Sequence, residues 1–246
     1  MPEIKDIPSP NFNDRPDNVP IDLLVMHYTG MVGFDQALQR LCDPDYKVSS
    51  HYLVDEDGKI VRLVDEKKQA WHAGVSCWCG RAALNENSIG IEIVNPGHEF
   101  GYREFPKKQM EAVLELSSDI VSRHKILPRN IVGHSDIAPT RKKDPGELFD
   151  WRFLATNGIG LYPDIKAKKI KNPDKVIAAP GDQNLQVKGL QENLSKYGYY
   201  VKADGYYGDK TEAAVVAFKR HFIQDSINAF WDHKDMAAME MLLSLI

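Results

Sequence analysis

The sequence is short of cysteine. Cys42, Cys77 and Cys79 are the only three among 246 residues, an odd and sparse set that implies no disulfide framework and fits a reducing compartment. Cys77 and Cys79 stand two apart, tighter than the spacing of a Cys-x-x-Cys chelate, and a bridge between them would be strained. Long apolar runs are missing too: none approaches a bilayer crossing, and the opening Met1-Pro-Glu-Ile-Lys-Asp6 lacks the basic-then-apolar order of a secretion signal. Nor is there a strong excess of one charge. A formal net charge of −4 argues against a general nucleic-acid binder. What remains is a chain 43% hydrophobic and long enough for one large or two smaller domains, with a monomer as the default.

Chemistry is concentrated in one stretch, Ile131-Val-Gly-His134-Ser-Asp-Ile-Ala-Pro-Thr-Arg-Lys142-Lys-Asp144-Pro-Gly146. A short apolar lead reads as a strand end, and the rest as a loop rich in Pro and Gly, where functional groups usually sit. His134 and Asp144 can fold back on one point of such a loop, which a regular helix or strand would prevent. A catalytic zinc site takes three protein ligands and leaves one position for water. The best third donor is His27, at the C-terminal end of the apolar run from Ile21 to Met26. If the two strands are neighbours, the two imidazoles lie side by side. The competing reading makes each His a hydrogen-bonded structural residue.

The remaining pattern alternates strands and helices. Phe34, Ala37, Leu38 and Leu41 share one helix face. Segments 50–54 and 59–64 flank Asp55-Glu-Asp-Gly58, a hairpin signal, which puts His51 at a strand start near the sheet edge. Trp71 and His72 fall in an irregular segment. Ser88 to Val94 is nearly continuously apolar, as in a strand covered on both faces. Glu92 interrupts it, and a carboxylate there must be paired, ligating, or raised in pKa toward a general base. Residues 106–125 read as an amphipathic helix opened by Pro106, and 150–155 as a capped one. Together these predict an α/β fold, a mixed β-sheet flanked by helices.

From Tyr162 to Gln183 the chain turns Lys- and Pro-rich, with Lys166, Lys168, Lys169, Lys171 and Lys175, which reads as a linker. Beyond it, Val187, Leu190, Leu194 and Tyr197 mark a helix ended by Gly198. Asp209-Lys-Thr-Glu212 reads as a capping box opening the next, and a last helix spans 235–245.

Val25-Met-His27-Tyr-Thr29, Ser50-His51-Tyr-Leu-Val54, Ser88-Ile-Gly-Ile-Glu92-Ile93 and Gly133 to Gly146 together resemble the zinc-dependent N-acetylmuramoyl-L-alanine amidases, bacterial relatives of peptidoglycan recognition proteins. The resemblance implies one zinc ion on His27, His134 and Asp144, with Glu92 activating water and returning its proton to the leaving amine. It gives Lys142 the developing oxyanion, and His51, Trp71 and His72 the substrate groove. The expected substrate is the amide between N-acetylmuramic acid, in its ordinary or 1,6-anhydro form, and L-alanine of the peptidoglycan stem peptide, in cell-wall turnover or recycling. The alternative is a non-catalytic recognition protein of the same fold that binds muropeptides, but all three ligand residues, Glu92 and Lys142 are present. A purely structural zinc site would need a fourth ligand, for which His51 and His72 are spare.

Leu190 to Phe218, with its Asp204-Gly-Tyr-Tyr-Gly208 loop, is similar to the small three-helix peptidoglycan-binding module, although Lys219 stands where that family usually has Gln. The expected layout is a zinc amidase domain over 1–161, a linker over 162–183 and an all-α peptidoglycan-binding-like domain over 184–246. Without a leader the chain is expected in the cytoplasm; if Met1 replaces a removed leader, in the periplasm or cell envelope.

Overall fold

The computed structural model describes residues 3–165 and 168–246, so Met1 and Pro2 of the opening segment and Lys166 of the basic one lie outside the described residues. The first part of the chain runs β1 (Ile4–Asp6), β2 (Phe12–Asp14), β3 (Leu23–Tyr28), α1 (Phe34–Cys42), β4 (Tyr52–Val54), β5 (Ile60–Arg62), β6 (Lys68–Ala70), β7 (Cys77–Trp78), β8 (Arg81–Ala82) and β9 (Ser88–Ile93). It continues with α2 (Gly97–Phe100), α3 (Lys107–His124), β10 (Ile131–Gly133), α4 (His134–Ile137) and α5 (Trp151–Thr156). The C-terminal part holds β11 (Val176–Ala178), α6 (Leu185–Tyr197), α7 (Asp209–Phe222), β12 (Trp231–Asp232) and α8 (His233–Leu243).

Six strands form the central sheet in the order β1-β5-β4-β9-β3-β10, mixed because β4 and β5 pair antiparallel while the other neighbours are parallel. The antiparallel pair is the expected hairpin, turning through Gly58 at φ 89°. β4 lies inside the sheet rather than near its edge, which corrects the place expected for His51.

Successive side chains of a strand leave opposite faces. Leu24, Met26, Ile89, Ile91 and Ile93 join Met110, Val113, Leu116 and Ile120 of α3 in one buried cluster. Burying each such side chain stabilises the fold by roughly 1.5–3 kcal/mol. The other face carries Leu23, Val25 and Val132, which share a cluster with Leu190, Leu194, Tyr199 and Phe218 of the C-terminal helices. On that face β9 presents Ser88, Gly90 and Glu92, so this strand is not apolar on both sides. Its second face is left for polar partners.

The α5 cap forms as read, Asp150 accepting the Phe153 N–H at 2.8 Å. The box expected at Asp209 and Glu212 does not form: α7 starts after Gly208 without a side-chain cap. A reciprocal box appears instead at α8, where Asp232 and Asp235 accept each other's backbone N–H at 2.9 Å. β11 is drawn from the Lys/Pro-rich segment and pairs antiparallel with β12. Among the described residues no helix is long and apolar enough to cross a membrane.

Candidate metal centre

β3 and β10 are parallel neighbours, so His27 near the end of one and His134 just after the other leave the sheet side by side. Asp144 returns from the loop to meet them. The Nδ1 atoms of the two imidazoles are 2.9 Å apart, and each lies 3.0 Å from Asp144 Oδ2. All three residues are buried.

For His72 and His27 the surrounding hydrogen bonds fix where the protons sit. Ser88 Oγ–H donates to Leu84 O at 2.5 Å, so this oxygen accepts from His72 Nε2–H at 3.0 Å. His72 Nδ1 is therefore bare and accepts from His27 Nε2–H at 3.0 Å, which leaves His27 Nδ1 bare in turn. His134 Nε2 faces both an acceptor, Ala73 O at 3.1 Å, and a donor, Arg141 Nη2 at 3.2 Å, while its Nδ1 turns inward. Burial holds His27 neutral, its pKa lowered to about 4, with the neighbouring His134 acting in the same direction. Burial works against ionising Asp144 too, but the His134 and His27 imidazoles keep it well below the usual carboxylate range.

Two imidazole nitrogens and one carboxylate oxygen thus face one another about 3 Å apart. With their protons displaced, these atoms offer two nitrogen lone pairs and one anionic oxygen to a single cation. Atoms so spaced can all reach a single ion at the roughly 2.0–2.2 Å that zinc takes with imidazole and carboxylate. Among the described residues no fourth His, Cys, Asp or Glu joins the group, which leaves room for a non-protein ligand. The residues present fit the expected metal.

Glu92 is the register partner of His27 across β3 and β9, so both side chains leave the same face at the same height. Its Oε2 is buried and has no hydrogen-bond partner among the described residues. Burial raises its pKa well above the ordinary value, the Asp144 charge adds to this, and Lys142 opposes it. A proton-hungry carboxyl beside a metal site is what general base work requires. Lys142 is partly exposed, makes no ion pair among the described residues, and lines an open cleft of about 400 Å³ between the loop and α7.

Two expected groove residues have other tasks. His51 is fully buried; its Nδ1 accepts the Gly90 N–H at 3.0 Å and its Nε2 faces Lys68 O at 3.1 Å. This corrects its reading as a substrate contact, because both nitrogens are engaged inside the protein. His72 is 6% exposed and orients His27 instead of meeting substrate; a partner that fixes a ligating imidazole is a recurrent part of metal sites. Trp71 keeps a partly exposed ring and donates its Nε1–H to Asn13 Oδ1 at 2.5 Å. Cys42, Cys77 and Cys79 are free thiols outside the cluster.

Sequence reasoning missed the supports. Arg15 donates to the carbonyls of Glu66, Asn85, Glu86 and Ser88, and Asn85 Oδ1 accepts the N–H groups of His72 and Ala73. Arg141 donates to Ala73 O and Val75 O. These are loop carbonyls brought together only in space. Ser88 alone had a local signal, a hydroxyl two and four residues before Gly90 and Glu92 on one strand face.

A family model described as N-acetylmuramoyl-L-alanine amidase matches residues 17–147, and one described as a putative peptidoglycan binding domain matches residues 183–223. The chain is 40% identical over 235 residues to the N-acetylmuramoyl-L-alanine amidase AmiD of Escherichia coli K12, covering 91% of this chain and 82% of that protein. It is 36% identical over 173 residues to the 1,6-anhydro-N-acetylmuramyl-L-alanine amidase AmpD of Citrobacter freundii, 63% of this chain and 90% of that one. Among solved structures, E. coli AmiD in complex with the substrate anhydro-N-acetylmuramic acid-L-Ala-D-gamma-Glu-L-Lys superposes with a TM-score of 0.79 at 35% identity, covering 95% of this chain and 97% of that one. AmpDh3 from Pseudomonas aeruginosa in complex with anhydromuramic pentapeptide gives 0.74 at 30% identity and 91% of both chains.

Proposed function

The chain belongs to the N-acetylmuramoyl-L-alanine amidase family, and from that membership we propose that it cleaves the amide between N-acetylmuramic acid and L-alanine of peptidoglycan stem peptides with one zinc ion held by His27, His134 and Asp144. The observation that carries the metal assignment is the convergence of three buried ligand atoms, each about 3 Å from the other two. The two relatives named for, or bound to, 1,6-anhydro sugars support that form as an accepted substrate, in cell-wall turnover or recycling.

Bound zinc supplies Lewis acidity, which brings the pKa of water toward neutrality and polarises an amide carbonyl. Glu92 takes the proton of the attacking water as the bond to the carbonyl carbon forms. It then delivers that proton to the departing alanine nitrogen as the C–N bond breaks. Lys142 places positive charge beside the carbonyl oxygen as that oxygen becomes negative; one such donor typically contributes about 2.7–4 kcal/mol to the transition state. His72, Ser88 and Leu84 hold the His27 tautomer, and Ala73 and Arg141 hold the His134 ring in place. In this reading residues 1–161 are the catalytic part, 162–183 a connection and 184–246 the peptidoglycan-binding-like part.

The experiment digests anhydromuropeptides and whole sacculi in parallel, with and without chelator, and follows free stem peptide by mass spectrometry. Release is expected to be chelator-sensitive and absent in Glu92→Ala with zinc still bound. Turnover that survives chelation, or an unimpaired Glu92→Ala, would falsify the corresponding role.

A further inference from the structure

The loop that carries His134 and Asp144 is fastened from the C-terminal part of the chain at both of its ends. At the start, Asp136 lies two residues beyond His134 and is 1% exposed. Its Oδ1 accepts from Tyr199 Oη–H at 2.7 Å; its Oδ2 accepts from Gly133 N–H and from His221 Nδ1–H, both at 2.7 Å. At the far end, three residues beyond Asp144, Glu147 faces Arg220 at 3.4 Å. Gln224 Nε2 donates to the carbonyls of Glu147 and Phe149 at 2.8 and 2.7 Å. The His221 ring is stacked between Trp151 and Phe222, with centroids 3.8 and 3.9 Å away.

Arg220 and His221 lie in the last turn of α7 and Gln224 two residues beyond its end, so one short stretch of chain reaches both ends of the loop. A module tethered only to anchor the enzyme on a wall needs no such contact. A buried carboxylate satisfied by donors 63 and 85 residues away fixes one geometry, because every alternative leaves its charge unpaired.

We infer that Tyr199, His221 and Gln224 are positioning residues for the metal centre, holding the loop so that His134 and Asp144 meet His27. The C-terminal helices are then a working part of the hydrolase. The inference rests on His27, His134 and Asp144 binding a metal ion, as proposed above.

The test uses the full chain in four forms besides wild type: Y199F/H221F, which removes both distant donors but keeps the rings, H221F, H221N and L242A. H221N offers an amide N–H from the place of Nδ1. Leu242 is buried on α8, which packs chiefly on α6, and its truncation serves as a stability control. Three quantities are read: the rate of zinc transfer to a chromophoric chelator, kcat and KM on a soluble muropeptide, and the melting temperature. In Y199F/H221F zinc transfer is expected to quicken and kcat to fall by roughly tenfold or more each, the scale seen when supporting partners of a metal site are lost. KM stays near the wild-type value, and H221N recovers most of what H221F loses. L242A melts earlier with both metal transfer and kcat intact.

Wild-type transfer and kcat in folded Y199F/H221F would overturn the inference, as would an L242A that shifts both by the same factor. If the double variant does not fold, Y199F and Q224A alone must move transfer and kcat in the same direction, and failure to do so overturns it equally. A wild-type chain that takes up no zinc would overturn the metal assignment itself, which separates the two failures.

Discussion

Gly90 lies beneath His72 so closely that a Cβ added at position 90 would stand 2.5 Å from Cγ of that imidazole. No other residue type lets the ring lie on the sheet and reach His27. In Gly90→Ala the ring must move off, and His27 loses the acceptor that fixes its proton. Zinc affinity and kcat are expected to fall by roughly 10–100-fold, the usual scale for losing such a partner. A zinc competition titration with steady-state kinetics checks this; wild-type affinity would show that His72 does not set the His27 tautomer.

Lys142 tests the oxyanion assignment. Lys142→Met keeps the length of the stem and removes the charge, so kcat should drop by about 10²–10³ while KM changes little. Lys142→Arg should recover part of the rate. A rise in KM alone would mean that Lys142 binds substrate in its ground state and does nothing further for the transition state.

Glu66, which is not among the metal-site residues, makes the fold sensitive to acid. Burial opposes its charge, but hydrogen bonds from Arg123, Tyr52 and His124 hold its pKa at about 2 against an ordinary 4.5. A carboxyl whose folded-state pKa is depressed stabilises the fold above its unfolded value, and that contribution is lost as pH falls toward 2. The stability gap between wild type and Glu66→Gln, measured by urea unfolding with chelator present throughout, should therefore be constant above about pH 5.5 and shrink between 4.5 and 2. A gap independent of pH would mean that the cluster acts through packing instead of charge.

Lys219, where the related module usually has Gln, is wholly buried with its Nζ 2.9 Å from Asp235 Oδ2 and 2.9 Å from Asn228 Oδ1. Burial raises Asp235 to about 7, against the pull of Lys219. A raised folded-state pKa means that stability is greatest below the unfolded value and declines as pH rises toward and through 7. Lys219→Met should cost roughly 3–5 kcal/mol at pH 8, where Asp235 loses its counter-charge and keeps only the Asp232 N–H, and clearly less at pH 6, where it takes a proton. Denaturant unfolding at the two pH values decides; equal losses would place the effect in packing.

The donor set was legible because each member breaks a local pattern. His27 closes an apolar strand, Glu92 interrupts another, and His134 and Asp144 sit on a Pro- and Gly-rich loop that no regular element could hold. The helices over 34–42 and 107–124 were equally plain from their apolar spacing. What stayed hidden depends on partners far along the chain. His72 looked like a groove residue because its acceptor is a serine 16 residues away and the space for it is made by a glycine. Tyr199 and His221 gave no signal at all, since their common partner Asp136 belongs to another element. Val176–Ala178 read as spacer because three residues become a strand only when Trp231 and Asp232 lie beside them.

Trp78 packs its ring against Tyr197 and Tyr199, with centroids 5.9 and 5.2 Å away, and only 3% of it is exposed. A protein engineer who cut the chain after residue 161 to isolate the hydrolase would strip this indole bare along with Val132 and Ile137 of the same cluster. The shortened product would carry a sticky apolar scar next to its catalytic loop, and its poor solubility would be mistaken for a failure of the enzyme.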